Sequence, residues 1–495
     1  MQLDWVKRYS GPGSLEDEAF AVCVDDSGNV YVTGGVEVLD GFKCTTIKYN
    51  KNGDSLWVRD YERPGNNFNV AYDMKLDDSG NVYIAGALSV IKYDKFGNLK
   101  WTAYDAAEYR RLILDSMGNI YAAGLGSGKY VVGKYDRNGN NLWVNRYNNA
   151  YKLQDLAIDN MGNVLITGET RHAVTEYDYT TIKYTNDGRI IWIRIYNGLS
   201  PDGDDNPYGI TTDDSSNVYV TGASQDTSLI YNCTTVKYDS AGNVIWVKRI
   251  HPPNTSYDIE VDKSQNVYLA ARSSGNSFAI KLDLNGNVLW IRTYPTTNAF
   301  ATNQSVLILD SVNNVYVTVN IDSNNFTGYG AIKYNNNGNL QFLVKYKGTP
   351  NRFDYVDDMV IDKKGNVYLT GTSGGSGTYY DYATVKYSQI PTGISGINFI
   401  PDKFSLGQNY PNPFNPSTRI SFSIPNPQYI LLKVYDVLGN EVAVLEDEKK
   451  NAGSYEVEFD TRSVRQESNL SSGIYFYRLE ADGEIIDTKR MVLLK

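Results

Sequence analysis

The chain reads as one short strand after another. Stretches such as NVYVTG, TTIKY and SLWVRDY alternate apolar and polar residues or run briefly apolar, and Asp, Asn and Gly punctuate them. That pattern predicts β-strands joined by tight turns. No stretch carries a helical period long enough to compete with it.

The stretches recur. VDDSGNVYVTG at Val24 returns as LDDSGNVYIAG at Leu76, LDSMGNIYAAG at Leu114 and IDNMGNVLITG at Ile158. It appears again as TDDSSNVYVTG at Thr212, VDKSQNVYLAA at Val261, LDSVNNVYVTV at Leu309 and IDKKGNVYLTG at Ile361. A period of about 48 residues belongs to propeller blades rather than to helical repeats. A second string follows each copy, from IKYNKNGDSLW at Ile47 to IKYNNNGNLQF at Ile332. The eighth, VKYSQI at Val385, stops before its Trp strand. The segment LDWVKRY, residues 3–9, carries the missing piece. Trp5 takes the register of Trp57, Trp101, Trp143, Trp192, Trp246 and Trp290, with Phe342 in the seventh place. Each unit therefore predicts four strands with Asx/Gly turns, and units stacked around an axis bury faces that one sheet leaves open. The expectation is an all-β, eight-bladed propeller over residues 1–390, closed by the N-terminal strand. Seven blades are expected instead if one copy is too degenerate to form one.

The pattern ends at Ser388. Pro, Gly and Asn crowd the following segment, which reads as a linker over 391–402. From 403 to 495, stretches such as TRISFSI, YILLKVYD, GSYEVEFD and GIYFYRLE alternate strictly, with turn signals between them. They predict a small Ig-like β-sandwich.

Composition narrows the classes. The net charge is −10, from 47 Lys plus Arg against 57 Asp plus Glu. No basic block stands out, so nucleic acid is not an expected partner. No apolar run reaches the roughly 18 residues of a membrane helix. Two His leave little room for a histidine zinc site or a histidine triad. Three Cys cannot form a disulfide framework. Cys44 and Cys233 occupy equivalent positions of different repeats, so they read as separate buried thiols.

The D-x-x-G-N-V-Y-V-T-G strings and PYGITTDDSSNVYV from Pro207 resemble the bacterial β-propeller repeat family called SBBP, and more loosely NHL repeats. The resemblance spans about residues 3 to 388 and implies a fold, not an activity. The C-terminal segment resembles the type A sorting domain of the type IX secretion system. The carrying motifs are FSLGQNYPNPFNPST (404–418), VYDVLGNEV (434–442), SSGIYFYRLE (471–480) and TKRMVLLK (488–495). That resemblance implies a translocon partner and a secreted or outer-surface location in a Bacteroidota-like Gram-negative bacterium. Such cargo needs an export signal. MQLDWVKRYS lacks the apolar core of one, so a signal is expected upstream of the ring; a cytoplasmic protein is the alternative.

Chemistry is expected on the face with variable loops, such as GETRHAVTEYD and NGLSPDGDDNPYG. Aromatics recur just before the innermost strands, at Phe20, Tyr72, Tyr109, Tyr151, Tyr208, Tyr257, Phe300 and Tyr355. They would stack on a sugar or fill gaps between blades. Asp73, Asp155, Asp258 and Asp358 each stand four residues before the first Asp of their repeat. They should converge near the mouth of the central funnel. Three roles are open to them: holding Ca²⁺, acid/base work on glycosides, or bonding backbone amides at the strand entry. PDGDDNP lacks the calcium-loop pattern, and His172 and His251 read as solvated loop residues. The candidate ligand face is thus Tyr72, Asp73, Asp155, Tyr208, Tyr257, Asp258, Tyr355 and Asp358, with no catalytic or metal residue assigned and no cofactor expected apart from that calcium alternative. The expected protein is a monomeric binding module for a glycan, an envelope component or a protein. A polysaccharide-active enzyme and an adhesion scaffold are the rivals.

Overall fold

The computed structural model describes residues 1–495 except 13–14, 172–176, 201, 274, 296–304, 324–325, 350–351, 376–377, 390–403, 410, 463–469 and 495. The linker expected at 391–402 therefore lies outside the described residues. Strands and turns make up the described residues, with no helix among them. The chain divides into two compact units, Met1–Ile390 and Pro391–Lys495.

In the first unit, six of the eight repeat copies each build one four-stranded antiparallel sheet, and copies two and three share a six-stranded one. Their strands Val82–Tyr93 and Leu99–Leu114 run on without a break and pair on both sides. The eighth sheet borrows its outer strand from the other end of the chain. Gln2–Tyr9 lies antiparallel to Tyr380–Ser388, with Tyr9 opposite Tyr382. Arg8 anchors this strand with bonds to Asp381 Oδ2 at 2.8 Å and to the Ser373 carbonyl at 2.8 Å. Eight apolar clusters among the described residues each join two successive repeat units. The last joins Ala19, Val22 and Tyr49 of unit 1 to Tyr368 and Tyr382 of unit 8, so the units follow one another around a closed ring.

Two details of the repeat string now have physical causes. In D-x-x-G-N-V-Y, Asp25 Oδ1 accepts the amides of Ser27 and Asn29, and Oδ2 accepts the Asn29 side chain and the Tyr31 hydroxyl. The Lys48 ammonium then lies 4.7 Å from the centre of the Tyr31 ring. The outer-strand Trp is a latch. Trp192 Nε1 donates to the Ser240 carbonyl in the next unit's turn at 3.1 Å, and six other Trp repeat the bond. The turn glycine lies flat on the indole: a Cβ on Gly139, where φ is 85°, would fall 2.6 Å from Trp101. Phe342 breaks the pattern at the unit before the last: among the described residues no second turn follows Ser388 to face it.

In the second unit, Ser405–Leu406, Ser417–Ile424 and Gly453–Asp460 form one sheet. Glu441–Lys450, Gln428–Tyr435, Gly473–Ala481 and Glu484–Leu493 form the other. The alternation places Ile420, Phe422, Ile424, Ile430, Leu432 and Val434 in one shared core. This is the expected sandwich.

Candidate functional site

The inner strand of seven of the eight repeat units carries a β-bulge; the short Leu307–Leu309 of unit 7 pairs without one. In Ala71–Leu76, Ala71 pairs with Gly86 and Asp73 with Ala85, so Tyr72 has no partner across the ladder. The same slip falls at Phe20, Arg110, Gln154, Tyr208, Tyr257 and Asp357. All seven stand five residues before the first Asp of their repeat. A bulge re-aims a side chain and defeats strict alternation. As a result, the bulged residue and its successor both line an axial cavity of about 540 Å³ in units 1, 2, 3, 4, 6 and 8; unit 5 contributes Tyr208 alone and unit 7 contributes Ser305 and Val306.

The successor position alternates around the ring. Units 2, 4, 6 and 8 place Asp73, Asp155, Asp258 and Asp358 there; units 1, 3, 5 and 7 place Ala21, Arg111, Gly209 and Val306. Each Asp reaches into the next unit. Asp73 Oδ2 accepts the Leu112 amide at 2.8 Å, Asp155 the Ile210 amide at 2.9 Å, Asp258 the Leu307 amide at 2.7 Å and Asp358 the Val22 amide at 2.8 Å. For Asp73, Asp258 and Asp358, Oδ1 accepts the next amide of the same strand. All four Asp line the same cavity. They act there as staples between units, through backbone amides.

Seven of the eight predicted ligand-face residues line the cavity: Tyr72, Asp73, Asp155, Tyr208, Tyr257, Asp258 and Asp358. Tyr355 does not. It stands seven residues before its repeat Asp, beside Phe353 and Tyr380. The predicted ring of aromatics is also incomplete. Tyr109 is fully buried against Tyr135, Tyr151 packs outside on Tyr177, and Phe300 lies outside the described residues. What remains is two pairs. Phe20 and Tyr72, of units 1 and 2, have ring centres 5.8 Å apart; Tyr208 and Tyr257, of units 5 and 6, are 4.9 Å apart. In a closed ring of eight units these pairs face each other across the axis. Arg110, Arg111 and Lys152 of units 3 and 4, which the sequence reading did not single out, line the wall between them. Counting residues back from the repeat Asp would have found the two arginines.

Burial shapes the charges. It pushes the Asp258 carboxyl up to about 7, with Asp155 adding repulsion, and Glu260 up to about 8, with Asp258 adding more. Asp358 rises to about 6, and Lys75 opposes part of that rise. Asp357 is held well above the carboxylate range by burial and then by Glu18 and Asp358. Asp155 is raised by burial against the pull of Arg111, whose Nε lies 3.4 Å away.

The remaining candidates resolve into structure. In PDGDDNP, the Asp204 carboxylate accepts the Tyr231 hydroxyl and Asp205 accepts the Gly198 amide. His251 is exposed beside the Tyr231 carbonyl, and His172 lies outside the described residues. Cys44 and Cys233 are buried free thiols. Among the described residues, no group of three or more His, Cys, Asp or Glu is arranged to hold a metal ion.

Residues 408–493 match the family described as the secretion system C-terminal sorting domain. The second unit is a secretion sorting domain. It makes the chain a secreted or cell-surface protein of the Bacteroidota type. Residues 191–229 match the family described as the beta-propeller repeat, so the sorting domain follows a propeller. Among solved structures, Sqt1 from Chaetomium thermophilum matches with a TM-score of 0.54 and 9% identity, over 78% of this chain and 99% of that one. Virginiamycin B lyase from Staphylococcus aureus matches with a TM-score of 0.41 and 12% identity, over 63% of this chain and 95% of that one. At these identities the likeness concerns the fold alone. Comparison with curated protein sequences gives no match.

Proposed function

We propose that the propeller captures a carbohydrate chain in its axial cavity and that the sorting domain delivers it to the cell exterior by engaging the secretion machinery. One observation carries the reading: two aromatic pairs, Phe20 with Tyr72 and Tyr208 with Tyr257, set on facing walls of a cavity of about 540 Å³. Sugar rings stack on such faces, and a mostly preformed concave site fits a small ligand. Binding is favoured over turnover because the four converging Asp direct their oxygens to backbone amides. The ligand is held without a metal ion.

Titration of the full chain against a broad glycan panel tests this. A saturable hit is expected, unchanged by EDTA and weakened at least tenfold by Tyr208→Ala with Tyr257→Ala. Loss on chelation would restore a metal site. Release of shortened sugar would make the protein an enzyme. A blank panel would leave protein partners or a scaffold role.

A further inference from the structure

We propose that the cavity selects an acidic sugar, a pyranose bearing a carboxylate. Its ring would lie between the aromatic pairs and its carboxylate against Arg110, Arg111 and Lys152. This rests on the carbohydrate reading above and adds the ligand class.

The wall of units 3 and 4 supports it. Arg110 is the bulged residue of its strand, in the place that Tyr72, Tyr208 and Tyr257 hold in theirs. Its guanidinium lies over the Tyr72 ring, 4.6 Å from its centre, so it covers one face of that ring and brings a planar cation to the edge of the aromatic wall. One of its nitrogens engages Glu108. Arg111 follows at the position that holds Asp in units 2, 4, 6 and 8. Its Nη1 donates to the Arg110 carbonyl at 3.1 Å, and both arginines line the same cavity. Lys152 adds a third cation from the neighbouring strand and is exposed. A guanidinium binds a carboxylate by two parallel N–H bonds. Both guanidinium groups already have carboxylate neighbours, Asp155 3.4 Å from Arg111 Nε and Glu108 on Arg110, so a ligand carboxylate would share them through their remaining N–H groups. The carboxylates of the other units have partners of their own. Asp73 is paired with Lys75 at 2.7 Å, and Asp258 and Asp358 each face two backbone amides.

The test uses the full chain and two probes, oligogalacturonate and the same oligomer fully methyl-esterified. Calorimetric titration should show the acid form binding at least tenfold more tightly. Lys152→Glu, at an exposed position, should abolish that preference while leaving the melting temperature within a degree or two. Arg111→Gln should reduce the preference too. Equal binding of acid and ester would overturn the inference and leave the carbohydrate reading standing, as would a hit on neutral glycans alone. Failure of every glycan to bind would overturn both.

Discussion

Position 165 shows how one side chain rewires its neighbours. Seven repeats place Tyr there; unit 4 places Leu165. Without the hydroxyl, Lys183 moves off the ring it would cover and pairs with Asp159 at 2.8 Å, with side-chain exposures of 2% and 0%. In unit 1 the same lysine, Lys48, stands 4.0 Å from Asp25, whose outer oxygen the Tyr31 hydroxyl already holds. Removing one partner of a buried pair leaves an uncompensated charge. Lys183→Met should therefore cost about 3–5 kcal/mol in denaturant unfolding, whereas Lys48→Met should cost about 1 kcal/mol. Equal costs would refute the distinction. The Trp latch gives a second contrast. Trp192→Phe should lose about 1 kcal/mol with its hydrogen bond to Ser240. Phe342→Trp should gain none, because among the described residues no turn faces it.

At the scale of the element, the inner strand decides what the cavity displays. Turn strings were legible in the sequence because an Asx turn demands Asp, Gly and Asn at fixed spacing, and the clasp was legible because Trp5 had a vacant register to fill. The cavity lining was only half legible. Period-two alternation sends neighbouring residues to opposite faces, so it cannot anticipate that Tyr72 and Asp73, or Arg110 and Arg111, both face the axis; the bulge does that. Tyr109 and Tyr355 look equivalent to Tyr72 by eye but stand six and seven residues before their repeat Asp, not five, and point elsewhere. The staples make a prediction at this scale. Asp73→Ala removes a charged acceptor from two amides and should cost about 2–3 kcal/mol, read by chemical denaturation. Ala21→Asp, in a unit without a staple, should bring no matching gain.

Over the whole molecule, the buried carboxylates tie stability to pH. Asp258 and Glu260 hold protons in the folded state that they release on unfolding, since their folded values, about 7 and about 8, exceed the ordinary carboxylate range. Their contribution is complete below about pH 4 and is lost as pH rises through those folded values. Glu260→Gln removes one such group. Its melting temperature should exceed that of the parent by more at pH 8 than at pH 5, and a constant difference would refute the assignment.

The clasp has a consequence for how the molecule comes into being. Gln2–Tyr9 pairs with Tyr380–Ser388, so the first strand of the propeller to emerge from any pore waits for the last. Every other sheet of the propeller is built from neighbouring hairpins and can form as soon as its own residues are free. Loop closure over nearly the whole propeller comes late and slowly. Until then unit 8 lacks its outer strand, and Tyr382 and Tyr387 have no partners across that edge of the sheet. The propeller is therefore complete only when residues from its two ends have met.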